Sequence, residues 1–110
     1  MDWLSYVSFF FGGAFLANAV PHFVSGMMGR AFQSPFAKPP GKGLSSSTIN
    51  VLWGAFNMLL GYVFIVRVGA FDLRDTGDAL SAGLGALFMA IVTSRLFGAL
   101  HGGNSPTNPG

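Results

Sequence analysis

The 110-residue chain is 51% hydrophobic and 15% aromatic but only 9% charged, where a soluble domain carries about 25% charged residues. It has no Cys and no Glu, which excludes disulfide frames, thiol nucleophiles and Cys-ligated metals. Six Lys or Arg against four Asp leave a net charge of +2, too little clustered charge for a nucleic-acid-binding face.

The charges avoid three stretches, Trp3 to Gly29, Gly43 to Val66 and Ala79 to Ser94. About 20 apolar residues at about 1.5 Å each cross a ~30 Å hydrocarbon core, so this map predicts an all-α membrane protein. The expected organisation is one integral membrane domain, 1–110, with transmembrane helices at about 3–21, 49–66 and 79–100.

The first span runs from Trp3 to Pro21, whose ring crowds the preceding turn and removes a hydrogen-bond donor, predicting a kink or break. Ala17-Asn18-Ala19 has the form of a signal-peptide cleavage site, but the start of the chain carries Asp2 rather than basic residues, and the span is read as retained. Between His22 and Gln33 the polar or small residues His22, Ser25, Gly26, Gly29, Arg30 and Gln33 recur at three and four positions. That rhythm predicts a short amphipathic helix lying in the interface, with one long tilted helix through Gly29 as the rival.

Residues 33–48 are rich in Pro, Gly and Ser and are expected to form a loop, with Ser45 to Thr48 offering caps for the second span. Trp53 and Tyr62 are placed as interfacial anchors near the ends of that span, and Arg67 stops it. After a polar connection containing Asp72, Arg74 and Asp75, the third span begins behind Asp78 as cap or dipole partner. Arg95, near its end, must snorkel to the interface or face protein. Residues 101–110 have the composition of a flexible tail.

Small residues mark the expected helix contacts. Ala82, Ala86, Ala90, Ser94 and Gly98 continue from Asp78 at every fourth position; Asn50, Gly54, Asn57 and Gly61 follow Ser47 at threes and fours. The first span offers Ser5, Ser8, Gly12, Ala19, His22 and Gly26 in similar rhythm. Asn18, His22, Asn50 and Asn57 are the polar side chains at or near membrane depth and form the candidate ligand or polar site, against the plainer reading of hydrogen bonds between helices.

Enzyme templates fit poorly. His22 and His101 stand far apart in sequence, so no metal site is expected. Asp72, Asp75 and Asp78 are read as a solvated, helix-starting cluster, and Pro40-Gly41-Lys42-Gly43 lacks the spacing of a phosphate loop. Arg30, Lys38 and Lys42 are expected to meet lipid head groups.

The runs Asn18-Ala19-Val20-Pro21-His22-Phe23-Val24, Ser34-Pro35-Phe36 with Pro39-Pro40-Gly41, and Asn50-Val51-Leu52-Trp53-Gly54 with Asn57 resemble small uncharacterised bacterial multi-pass inner-membrane proteins. The resemblance covers about the first half of the chain and implies a multi-pass bacterial protein without implying an activity. A site, if present, is expected where Pro21, the loop and the start of the second span converge.

The function expected is a non-catalytic membrane component with no cofactor, either an accessory subunit or a self-associating helical scaffold; its partners would be lipids, further copies or other membrane helices. The alternative is an oligomeric transporter or channel for neutral or proton-linked cargo. Arg30, Lys38, Lys42 and Arg95 fall on one side and Arg67 and Arg74, neutralised by acids, on the other. The positive-inside rule then puts the N-terminus outside, with the loop and C-terminus cytoplasmic.

Overall fold

A computed structural model describes residues 3–107. In chain order the elements are α1 (Trp3–Met27), the strands β1 (Phe32–Gln33) and β2 (Leu44–Ser45), α2 (Ser47–Tyr62), a π-helical turn (Val63–Arg67) and α3 (Thr76–His101). Counting the π turn with α2, the helical segments hold 25, 21 and 26 residues, with mean hydropathy of 1.4, 1.8 and 1.6. At 1.5 Å per residue they are about 31 to 39 Å long, so all three are long and apolar enough to span a membrane.

The first helix passes through Pro21 and ends at Met27, which corrects the expected break and removes the separate interfacial helix. An interior proline costs about 3 kcal/mol in an exposed helix. Here the residues beyond it are held by α2: His22 and Gly26 are buried, and a Cβ on Gly26 would lie 2.5 Å from the Ser47 carbonyl oxygen. The rhythm read as amphipathic was therefore the buried seam of α1 continuing past the proline. The helix closes as a Schellman motif. Gly29 takes φ 73°, its N–H donates to the Gly26 carbonyl, and the Arg30 N–H donates to that of Ser25.

The loop folds into a small antiparallel ribbon, Phe32 opposite Ser45 and Gln33 opposite Leu44, so the architecture is not helix alone. Its interior turns on Ser34, which is buried. The Ser34 carbonyl accepts from the Ala37 and Gly41 N–H groups at 3.3 and 2.9 Å, and its hydroxyl accepts from the Phe36 N–H at 3.1 Å. Ser46 caps α2 by accepting the Ile49 N–H. The third helix is capped by Asp75 rather than Asp78. Asp78 is 1% exposed, receives the Asp72 N–H on Oδ2 and leaves Oδ1 buried without a hydrogen-bond partner, so the acid cluster is not wholly solvated.

Helix α1 is the centre of the fold. Of its apolar stretch 39% is buried, against 22% in the helix containing α2 and 11% in α3. Gly12 faces α2, where a Cβ would lie 3.1 Å from the Gly61 carbonyl oxygen; Gly13 faces α3, where a Cβ would overlap the carbonyl of Ala82. Consecutive residues point about 100° apart, so one glycine pair admits two neighbours on adjacent faces of one helix.

Burial is inverted relative to a water-soluble domain. The largest fully buried side chains are Phe9, Asn50, Asn57, Asp78 and Ser34, whereas Leu80, Leu84, Leu87, Phe88 and Ile91 along α3 are each more than half exposed. An apolar face of that extent marks a surface covered by lipid or by other protein.

Candidate functional site

Where α1 ends, α2 begins and α3 ends, the ribbon closes over a cluster built from all three helices. His22 on α1 donates through Nδ1 to Asn50 Oδ1 at 2.9 Å. The direction follows from the amide, because Asn50 Nδ2 faces the carbonyls of Phe32, Ser45 and Ser46 at 3.0, 3.2 and 3.1 Å, leaving only its oxygen for the imidazole. Asn50 thereby ties the helix start, both strands and α1 to one side chain.

Aromatic rings enclose the imidazole. Phe32, Phe97 and Trp53 meet it edge-on at 5.5, 5.9 and 6.3 Å between centroids. His101 lies against Phe32 at 5.5 Å and its Nε2 pairs with Oε1 of the buried Gln33 at 3.0 Å. Phe32 thus separates the two histidines that the sequence left apart, and among the described residues no group of three His, Asp or Glu is positioned to hold a metal.

About one turn further along α1, Asn18 Nδ2 donates to Asn57 Oδ1 at 3.0 Å, and Asn57 Nδ2 returns to the Trp53 carbonyl of its own helix at 2.8 Å. Towards the other end of the same contact, Ser8 Oγ donates to the Phe64 carbonyl within the π turn at 2.6 Å. A π turn holds one extra residue, and the loosened backbone here is met by a side chain from α1.

All four sequence-selected polar residues therefore lie on one seam between α1 and α2, as two pairs. The partly open space beside them, bordered by Asn18, His22, Gln33, Ser34 and Trp53, is about 150 Å³. At about 30 Å³ per molecule it suits a few waters, well below the 300–1,000 Å³ typical of small-molecule sites. Phe32, Gln33, Phe97 and His101 complete the cluster and were absent from the sequence-selected set; the spacing of Phe97 and His101, one helical turn apart on α3, was the available signal.

The selected packing residues divide. Gly54 and Gly61 are buried on α2, and a Cβ on Gly54 would lie 2.8 Å from the Phe23 backbone nitrogen. Ala82 and Ala86 back onto Gly13, whereas Ala90 and Ser94 are exposed. Gly98 is covered by Asn104 of the tail, whose Nδ2 also donates to the Arg95 carbonyl at 2.8 Å. Four residues turn about 400°, so an every-fourth row drifts about 40° per step and leaves a nearly straight contact within three steps. Arg30, Lys38 and Lys42 are exposed around the ribbon.

His22→Ala should lower stability by about 1–3 kcal/mol, because Asn50 Oδ1 would be buried without a donor. Thermal unfolding in detergent, followed by circular dichroism, measures this; an unchanged transition would mean water replaces the imidazole.

No family model, curated protein or solved structure matches the chain.

Proposed function

We propose that the chain is a non-catalytic integral membrane protein of three spans, acting as an accessory subunit or self-associating helical scaffold. On this reading it lies in a bacterial inner membrane with the N-terminus outside and the ribbon and C-terminus cytoplasmic, as the loop charges favour. The inverted burial supports the bilayer setting. The pairing of Asn18 with Asn57 and His22 with Asn50 supports a structural use of those groups over a solute path.

Self-association rests on one observation. The small-residue row of α3 is consumed by α1 at Ala82 and Ala86, then emerges at Ala90 and Ser94 to border an open groove of about 420 Å³ with Ala17, Val20 and Pro21 of α1. Small side chains let a further helix approach closely, and Thr93 and Ser94 donate their hydroxyls to the Ala90 and Ile91 carbonyls of their own helix, so the groove wall presents little unpaired polarity to a neighbour. The occupant is assigned as α3 of a second copy, which carries Thr93 and Ser94 at the same level.

Ala90→Leu combined with Ser94→Leu should therefore shift the protein to monomer in mild detergent while changing unfolding by no more than about 0.5 kcal/mol, since both sites are exposed within one chain. Ala86→Leu should instead destabilise the chain itself. Analytical ultracentrifugation reads the first effect; a variant that associates like the parent protein would overturn the assignment.

A further inference from the structure

A second groove, of about 420 Å³, opens where the ribbon meets the end of α3, and its walls combine two cations with an apolar strip. Lys42 comes from the turn after Gly41, and Arg95 comes from α3; below them lie Leu96, Ala99 and Leu100. The turn is built to present the lysine. Gly41 adopts φ 75°, its N–H donates to the Ser34 carbonyl at 2.9 Å, and the Lys42 N–H donates to the Pro39 carbonyl at 3.1 Å.

The charges are unbalanced within the chain. Among the described residues neither Lys42 nor Arg95 forms an ion pair, and the described acids, Asp72, Asp75 and Asp78, lie in the connection before α3 and in its first turn. Asp78 and Arg95 are separated along that helix by about 25 Å at 1.5 Å per residue. Two cations without counter-charge, set above exposed leucines at one end of a span, match the chemistry of a phosphodiester head group followed by acyl chains.

We propose that this groove is a binding site for one anionic phospholipid, its phosphate between Lys42 and Arg95 and an acyl chain along Leu96 and Leu100; the proposal rests on the membrane-spanning reading above. It distinguishes Lys42 from Arg30 and Lys38, which lie outside the groove and meet lipid only as diffuse surface charge. It also gives Arg95 a use at the position where a charge inside an apolar helix is otherwise costly.

Detergent-solubilised full-length protein titrated with phosphatidylglycerol or phosphatidylcholine, with adducts counted by native mass spectrometry, tests the site. At about 1 kcal/mol per cation, phosphatidylglycerol should bind about 30-fold more tightly than phosphatidylcholine as a single saturable adduct. Lys42→Gln with Arg95→Gln should erase that preference, whereas Arg30→Gln with Lys38→Gln should retain most of it. Inorganic phosphate at equal concentration should not compete, because it lacks the acyl chain. Equal binding of the two lipids by the parent protein would overturn the proposal whatever the variants do, as would loss of preference in the Arg30 and Lys38 variant alone or full displacement by phosphate. Carbonate extraction of the membrane fraction, run in parallel, separates failure of this site from failure of the spanning reading.

Discussion

Gly85→Ala should unlatch α3 from α1. A single methyl at Gly85 would overlap the carbonyl of Phe10, and the reciprocal contact at Gly13 overlaps the carbonyl of Ala82. Both obstacles are backbone, so no rotamer change relieves them and the helices must separate. Overpacking a core typically costs 1–3 kcal/mol, and a backbone clash belongs at the upper end, about 3 kcal/mol. Gly83 supplies the control from the same helix, since a Cβ there meets nothing within 4 Å. Gly83→Ala should be neutral or stabilising by up to about 1 kcal/mol, because alanine is the better helix former. Unfolding of the two variants in one detergent should therefore differ by about 3 to 4 kcal/mol; equal stabilities would mean that the glycine contacts do not hold α3.

Asn50→Leu should be the most damaging polar substitution. It leaves His22 Nδ1–H unanswered and withdraws the donor shared by the Phe32, Ser45 and Ser46 carbonyls. With each orphaned buried group costing about 1–3 kcal/mol, the loss should reach about 3 to 5 kcal/mol. The ribbon should loosen first, read as faster tryptic cleavage after Lys42 than in the parent. Asn50→Asp keeps the shape but sets an oxygen against those carbonyls, so it should not rescue. Protection equal to the parent in either variant would remove Asn50 from the centre of the cluster.

The parts of the fold legible in the sequence are those governed by one local rule. Absence of charge located the three long helices, and the alternation of three and four at Asn50, Gly54, Asn57 and Gly61 coincides with the buried residues of α2. Ser46, within the expected capping stretch, is the cap. What escaped depended on contacts and angles that no single local rule supplies. Pro21 is a local helix breaker, but α2 holds the turn after it. The row through Ala90 and Ser94 looked continuous because spacing in sequence hides the angular drift that takes it out of the contact. Asp78 reads as a surface cap until the connection folds back so that Asp72 donates to it.

The candidate site was legible in half of its members. Asn18, His22, Asn50 and Asn57 stand out as polar groups in apolar surroundings, and all of them lie on the α1 and α2 seam. Strands of two residues carry no periodicity, so nothing in the sequence placed Gln33 opposite Leu44 or brought His101 to Gln33 across most of the chain. Aromatic residues such as Phe32 and Phe97 are equally at home facing lipid, and only the fold shows that they enclose an imidazole.

On the proposed topology, three spans carry the ribbon and the connection before α3 to opposite sides of one membrane. Because the chain has no native Cys, single cysteines replacing Lys38 and Leu73, both exposed, report each side directly. In intact cells a membrane-impermeant maleimide should label the Leu73 variant at once and the Lys38 variant only after permeabilisation. Labelling of both positions from the same side, or recovery of the protein in the soluble fraction, would contradict that topology.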